Sequence, residues 1–129
     1  MPASHIAQGK HLLLDLYGAD HLSDIEFIDS QLCEAARICG ATILGSHFHS
    51  FDGGNGVTGV AILAESHISI HTWPEVQYAA LDIFMCGDCD PEKAVEPLQN
   101  AFNAKEIRCS LQIRGHHSDA RPLKARVMA

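Results

Sequence analysis

Residues 57–86 read VTGVAILAESHISIHTWPEVQYAALDIFMC, and this stretch decides the fold. It contains three runs rich in β-branched and apolar residues, at 57–64, 66–73 and 77–86, and such runs are typical of β-strands. The breaks between them are short, and Pro74-Glu75 marks the second break. Because consecutive strands joined by short turns pair antiparallel, we expect an antiparallel sheet.

The segments on either side extend this sheet and add two helices. We expect further strands at 11–17, 41–51 and 105–113, with a glycine-rich turn at 52–56. The resulting order of strands and helices predicts an α+β fold, a two-layer sandwich with an antiparallel sheet and helices on one face. The other face is left to solvent or to a second subunit. Residues 1–129 are expected to form one domain, with a loosely ordered tail from Arg114 on.

The two helices are predicted from end signals and apolar periodicity. Ser23 and Glu26 have the spacing of a capping box, and Gly40 is placed to end the first helix. Asp90 is an N-cap candidate for the second helix, in which Pro97 is expected to cause a kink or an early end. The apolar stripes that face the core are Ile25, Ile28, Leu32, Ala35 and Cys39 in the first helix, and Ala94, Val95, Leu98, Ala101 and Phe102 in the second.

Charge and cysteine content restrict the partners and the compartment. Nine Lys and Arg against 16 Asp and Glu give a net charge of −7, which repels phosphate and disfavours nucleic acid and anionic membranes. A cationic substrate is favoured. No apolar run approaches the roughly 20 residues of a membrane span, and residues 1–10 do not resemble a secretory signal. With five cysteines in no regular framework, we expect free thiols and a cytoplasmic location.

The central run 66–73 has two different faces. Alternate side chains of a strand share a face, so Ile68 and Ile70 are expected to point inward. His67, Ser69 and His71 then line the opposite face. Taken alone, this pattern is equally typical of a functional strand and of an ordinary solvated strand face.

The sequence around this run resembles a known family. Glu65-Ser66-His67, followed by IHTWPE at residues 70–75, closely resembles the processing segment of the prokaryotic S-adenosylmethionine decarboxylases. The similarity covers roughly residues 9–115. It includes, in order, Gly9-Lys10-His11, Gly40-Ala41-Thr42, Gly56-Val57-Thr58-Gly59, Tyr78-Ala79-Ala80, Asp82, Phe84 and Cys86-Gly87.

The resemblance implies that the chain cuts itself. Ser66 attacks the carbonyl of Glu65, and the peptide bond becomes an ester through an N→O acyl shift. The family assigns removal of the Cα proton of residue 66 to a histidine that matches His71. Elimination and hydrolysis leave a β chain of residues 1–65 and an α chain of residues 66–129 that begins with a pyruvoyl group. Thr58 matches a position, commonly serine in the family, whose hydroxyl assists processing.

The resemblance also implies the reaction and the site. The pyruvoyl group is the cofactor, with no metal, and it forms a Schiff base with the substrate amine while CO₂ leaves. Cys86 matches the proton donor of the decarboxylation. Glu75 matches a residue that binds substrate hydroxyls, and Phe51 one that stacks on adenine. The substrate implied is S-adenosylmethionine, the product is the aminopropyl donor for spermidine synthesis, and the enzyme is expected to be a homodimer or a higher assembly.

Three alternatives stay open at the level of sequence. The same chemistry can act on arginine or ornithine, because Schiff base formation needs only the α-amino acid group. Cys86 and Cys89 form a CxxC motif, which predicts a thiol–disulfide protein, although a lone CxxC is a weak signal. The chain also carries histidines that could bind zinc or iron in a metal-binding protein, namely His47, His49, His67 and His71.

Overall fold

The computed structural model of the chain describes residues 8–115. The sequence predicts a loosely ordered tail from Arg114 on, but Arg114 is the last residue of a strand, and residues 116–129 lie outside the described part. The elements in chain order are β1 (Gly9–Tyr17), α1 (Ile25–Ile38), β2 (Ile43–Ser50), β3 (Val57–Leu63), β4 (Ser66–Trp73), β5 (Tyr78–Cys86), α2 (Val95–Ala101) and β6 (Glu106–Arg114). Short 3-10 turns at Pro74–Val76 and Pro91–Ala94 precede β5 and α2. The strands form one antiparallel sheet in the order β2-β3-β4-β5-β1-β6. The predicted α+β two-layer sandwich is confirmed.

The core lies between the helices and one face of the sheet. Ile68 and Ile70 of β4 are fully buried there, as the alternation in β4 predicts. Each such side chain contributes about 1.5–3 kcal/mol by leaving water. Other fully buried core side chains are Leu12, Leu14 and Leu16 of β1, Ile28 and Leu32 of α1, Ile83 and Met85 of β5, and Leu98 with Phe102 of the α2 segment.

Helix α1 begins one residue later than the capping-box spacing predicts. Its N-cap is Asp24, whose carboxylate accepts a 3.1 Å hydrogen bond from the backbone N–H of Phe27. The prediction of Ser23 as the cap is wrong. Aspartate and serine are equally good N-caps, but aspartate also brings a negative charge to the positive end of the helix dipole. The predicted end is confirmed, because Gly40 follows the helix with a left-handed φ of 91°.

Helix α2 is short, as Pro97 predicts. Pro97 is the third residue of this seven-residue helix. The first four N–H groups of a helix have no partner within it, so the missing N–H of proline costs no hydrogen bond there. Before it, the carboxylate of Asp90 accepts a 3.0 Å hydrogen bond from the N–H of Glu92 and caps the 3-10 turn. Neither helix of residues 8–115 is long and apolar enough to cross a membrane.

The second face of the sheet, here called the open face, carries no helix. His67, Ser69 and His71 lie on it, as predicted. Leu13 and Trp73 lie on it too, exposed by 46% and 42%. Large apolar side chains beside titratable ones distinguish this face from an ordinary solvated strand face, which is mainly polar.

Candidate active site

The predicted site residues fall into two groups at opposite ends of β4. Ser66 is the first residue of this strand and His71 is the sixth. Five steps of about 3.3 Å in an extended strand separate their Cα atoms by roughly 16 Å. We call the residues around Ser66 the cleavage end, and those around His71 the cavity end. The cleavage end contains Glu65, Ser66 and Cys86, and the cavity end contains Phe51, Thr58, His71 and Glu75.

Glu65 occupies a tight turn with an uncommon backbone conformation. Leu63 of β3 pairs with Ser66 of β4, so Ala64 and Glu65 alone connect the two strands. Glu65 has a φ of 61°, in the left-handed region that a residue with a Cβ adopts at a cost of about 1–2 kcal/mol. The carbonyl group of this residue belongs to the Glu65–Ser66 peptide bond. Backbone strain therefore lies next to the bond that the sequence predicts to be cut.

Cys86 approaches the same bond from the neighbouring strand. It is the last residue of β5, and its thiol donates a 3.4 Å hydrogen bond to the carbonyl oxygen of Glu65. A donor on this oxygen polarises the carbonyl group and favours attack on its carbon. The cleavage end thus holds a hydroxyl, a peptide bond next to a strained backbone angle, and a donor to the oxygen of that peptide bond.

The four predicted residues of the cavity end line one cavity of about 240 Å³. Thr58 and His71 are directly paired between β3 and β4, and the Thr58 Oγ1 lies 3.2 Å from the His71 Nδ1. Phe51 is half exposed, and its ring meets that of His49 edge-on with centroids 4.6 Å apart. Ligand pockets usually measure about 300–1,000 Å³, so this cavity is small for a complete site. Its remaining lining residues are Gly54, Gly56, Thr72 and Trp73.

A hydrogen-bonded cluster on the open face was missed by sequence reasoning. The carboxylate of Asp82 lies 2.6 Å from His11 Nε2 and 3.2 Å from His67 Nε2, and it also accepts a hydrogen bond from Ser69. Partial burial acts to raise the pKa of Asp82, but the hydrogen bonds from Ser69, His11 and His67 outweigh it and lower that pKa. No local sequence pattern reveals this cluster, because it depends on the strand order, in which β5 lies between β1 and β4.

The positions of the histidines do not favour a metal site. His47 and His49 lie on β2, and β3 separates them from His67 and His71 on β4. Within residues 8–115, the one group with metal-ligand spacing is His11, His67 and Asp82. Arg114 Nη1 lies 3.3 Å from His11 Nδ1, and a guanidinium has only donors. The neutral His11 therefore carries its proton on Nε2, the atom that would have to bind the metal.

The CxxC alternative is not supported either. The Cys86 thiol contacts the Glu65 carbonyl oxygen, and Cys89 contributes a backbone N–H to the turn by donating to the Cys86 carbonyl at 3.3 Å. The segment that follows starts with a four-residue 3-10 turn, Pro91–Ala94. Such a short turn lacks the helix dipole that activates the first thiol of redox CxxC motifs.

A serine beside a strained turn, a thiol on the adjoining carbonyl oxygen and titratable side chains on an open sheet face define a small α+β enzyme. Comparison with protein families gives its identity. The family model for S-adenosylmethionine decarboxylase matches residues 10–115, which is most of the chain. This chain belongs to the S-adenosylmethionine decarboxylase family.

Individual relatives agree with this assignment. The chain is 51% identical over 100 residues to the S-adenosylmethionine decarboxylase proenzyme of Prochlorococcus marinus strain MIT 9313, covering 75% of this chain and 79% of that one. It is 43% identical over 114 residues to the proenzyme of Thermotoga maritima, covering 86% and 87%. The crystal structure of the adenosylmethionine decarboxylase from Aquifex aeolicus VF5 superposes with a TM-score of 0.74 at 35% identity, covering 92% of this chain and 99% of that one.

Proposed function

We propose that this chain is a proenzyme that cuts itself between Glu65 and Ser66 and then decarboxylates S-adenosylmethionine. The observation that carries the proposal is the agreement between the family match over residues 10–115 and the strained turn at Glu65. Relatives named as proenzymes support a chain that is made inactive and then processed. The product is the aminopropyl donor for spermidine synthesis.

Self-cleavage uses the residues of the cleavage end. The Ser66 hydroxyl attacks the Glu65 carbonyl carbon, and the Cys86 thiol stabilises the negative charge on the carbonyl oxygen. The peptide bond becomes an ester, and His71 then removes the Cα proton of residue 66. Elimination breaks the ester and frees a β chain of residues 1–65 that ends in the Glu65 carboxylate. Hydrolysis of the remaining dehydroalanine releases ammonia and leaves an α chain of residues 66–129 whose first residue is a pyruvoyl group.

The length of β4 supports an arrangement in which two copies of the chain take part in this step. Ser66 and His71 of one chain are roughly 16 Å apart, too far for His71 to reach the Cα proton of its own residue 66. We infer that two chains pack through their open faces. The cavity end of each chain, with His71 and Thr58, then meets the cleavage end of the other. The exposed apolar side chains of the open face and the small cavity in one chain favour such a dimer.

The same composite site then binds and decarboxylates the substrate. The pyruvoyl group supplies an electron sink for loss of CO₂. Cys86 donates a proton to the substrate α-carbon, Glu75 binds the ribose hydroxyls, and Phe51 stacks on the adenine. The net charge of −7 favours the cationic sulfonium substrate. Five free cysteines fit a cytoplasmic enzyme.

Intact-mass spectrometry tests the cleavage. We expect two chains that meet at residues 65 and 66, with the second chain lacking its α-amine. The Ser66→Ala variant is expected to stay whole and inactive. A wild-type protein that remains one unmodified chain while it releases CO₂ contradicts the proposal.

Complementation tests the composite site. A Ser66→Ala chain and a His71→Ala chain are each expected to remain uncut when expressed alone. Co-expressed, they form mixed dimers in which the intact His71 of the first chain acts on Ser66 of the second. About half of the His71→Ala chains should then be cut. No cutting in proven mixed dimers means that His71 acts within its own chain.

Substrate identity is tested by CO₂ release from S-adenosylmethionine, arginine and ornithine. Release from S-adenosylmethionine alone is expected, because the relatives carry that name and Glu75 and Phe51 suit a nucleoside. A Glu75→Gln variant should raise KM for S-adenosylmethionine. Release from arginine or ornithine at comparable kcat/KM contradicts the assignment.

A further inference from the structure

The cluster around Asp82 lies next to the cleavage end and has no part in the mechanism described above. Asp82 and Cys86 are both on β5 and on the open face, four residues apart. Between them is Phe84, which pairs directly with His67 of β4. His67 is therefore diagonal to Asp82 on one side and diagonal to Cys86 on the other. Diagonal neighbours across antiparallel strands are about 7–8 Å apart at their backbones, within reach of long side chains.

The cluster has a defined direction of hydrogen bonding. Arg114 donates to His11 Nδ1, so the proton of neutral His11 is on Nε2 and is donated to Asp82. Ser69 also donates to Asp82, which is thereby held as an acceptor-only carboxylate. His67 Nε2, at 3.2 Å from the same carboxylate, must then be the donor. This leaves His67 Nδ1 as the ring nitrogen without a partner among the described side chains.

The orientation of the His67 ring is set by Asp82 at Nε2 and by the Phe84 ring. It stacks on Phe84 with centroids 5.9 Å apart and an interplanar angle of 26°. The Phe84 ring in turn packs against Gly9, where a Cβ would come within 2.3 Å of it. In the single chain the His67 side chain is still 40% exposed, on the face where the second copy of the chain is inferred to pack.

We propose that His67 returns a proton to Cys86 after each turnover, and that Asp82 is the positioning residue that orients His67 for this transfer. The proposal rests on the decarboxylase function, in which Cys86 gives its proton to the substrate α-carbon. The S–H bond breaks, the electron pair stays on sulfur, and a new C–H bond forms on the substrate. Protonated His67 then gives its Nδ1 proton to the thiolate, directly or through one water, and water reprotonates His67.

The charged and titratable groups facing His67 are compatible with this role. They are Asp82 and Cys86 of β5, and His11 of β1 with Arg114 of β6 behind it. On the β3 side the paired residue is Ile62, which carries no charge. The Asp82 carboxylate balances the positive charge on His67 whenever it carries two protons.

Chemical rescue is the decisive experiment. Processed His67→Ala enzyme is expected to lose about 100-fold in kcat, the lower range for a proton-transfer group, with KM changed less than about 3-fold. Added imidazole should restore kcat with saturation, because it supplies the missing proton donor. His47→Ala, a histidine of β2 with no contact to the cluster, should keep full kcat and show no response to imidazole. A loss in His67→Ala that imidazole leaves unchanged overturns the proposal.

A second measurement does not depend on turnover or on processing. In uncleaved Ser66→Ala protein, iodoacetamide alkylation of Cys86 at pH 7 is followed by peptide mass spectrometry. The free Nδ1 of His67 can take up the thiol proton of Cys86, so adding His67→Gln or Asp82→Asn should slow alkylation about 3-fold or more. Unchanged rates in both variants overturn the proposal. Failure of the decarboxylase function would appear separately, as wild-type protein without a pyruvoyl group or without CO₂ release.

Discussion

The Cys86 thiol and the Glu65 carbonyl oxygen lie 3.4 Å apart, in a hydrogen bond that joins the end of β5 to the turn between β3 and β4. This contact exists in the uncut chain, before any substrate is present. The sequence predicts Cys86 only as the proton donor of decarboxylation. The contact adds an earlier task, the polarisation of the peptide bond that is cut.

Replacing Cys86 is therefore expected to slow self-cleavage as well as decarboxylation. A neutral hydrogen bond contributes about 1 kcal/mol, so Cys86→Ala should cut about 5-fold more slowly. Cys86→Ser keeps a donor and should cut near the wild-type rate. Time courses of chain cleavage on gels measure both, with Cys89→Ala as the control that cuts normally. Cleavage of Cys86→Ala at the wild-type rate contradicts this role.

The left-handed backbone at Glu65 predicts that glycine relieves strain there. In the uncut Ser66→Ala background, Glu65→Gly should raise the free energy of unfolding by about 1 kcal/mol, because glycine adopts a φ of 61° without steric cost. With Ser66 present, the relaxed turn should be cut more slowly. Urea unfolding and cleavage time courses measure the two effects. Ala64→Gly, at the neighbouring turn position, is the matched control and should not stabilise.

The fold was largely predictable because each strand and helix carries a local signal. The run of three strands from residue 57 to residue 86 has β-branched alternation, and Gly40 ends α1 where the sequence predicts. The error at Ser23 arose because serine and aspartate stand side by side and both are good caps. In the structure Asp24 is the residue whose side chain accepts the hydrogen bond from the Phe27 N–H.

The site was only partly predictable, since it depends on strand order and strand length. The family motif identifies Ser66, His71 and Cys86 as candidates but does not say that β4 separates the first two by roughly 16 Å. The cluster of His11, His67 and Asp82 needs β1 to lie beside β5, although 71 residues separate His11 from Asp82 in the chain. No local pattern contains that information.

Glycine at position 54 leaves room for the carboxylate of Glu75. A Cβ at Gly54 would lie 3.3 Å from Glu75 Oε1, closer than ordinary contact. Gly54→Ala should therefore shift this carboxylate and raise KM for S-adenosylmethionine about 3- to 10-fold, while self-cleavage stays complete. Gly45→Ala is the matched control, because a Cβ there meets no atom within 4 Å. Equal KM values for the two variants contradict the assignment of Glu75 to substrate binding.

The hydroxyl of Thr58 is expected to matter for processing through its 3.2 Å contact with His71. Thr58→Val keeps the β-branched shape but removes the hydroxyl, so self-cleavage should slow by about 10-fold. Thr58→Ser restores the residue that is common in the family and should cut within about 3-fold of wild type. Cleavage time courses on both variants check this. A Val variant that is as fast as the Ser variant shows that the hydroxyl has no part in processing.

The lowered pKa of Asp82 predicts a specific loss of stability in acid. Hydrogen bonds from Ser69, His11 and His67 favour the carboxylate in the folded chain, whereas an unfolded aspartate has a pKa of about 3.9. A group with a depressed folded pKa stabilises the fold above the unfolded pKa, and this contribution is lost as pH falls through the folded pKa.

The free energy of unfolding of the Ser66→Ala chain should therefore fall as pH drops below about 4. The Asp82→Asn variant should have a free energy of unfolding about 1 kcal/mol lower at pH 7, and this free energy should fall less steeply as pH drops. Urea unfolding from pH 3 to pH 7 measures both curves, with the exposed Asp88→Asn as control. Parallel curves for the Asp82 and Asp88 variants would show that the cluster does not hold the Asp82 carboxylate ionised.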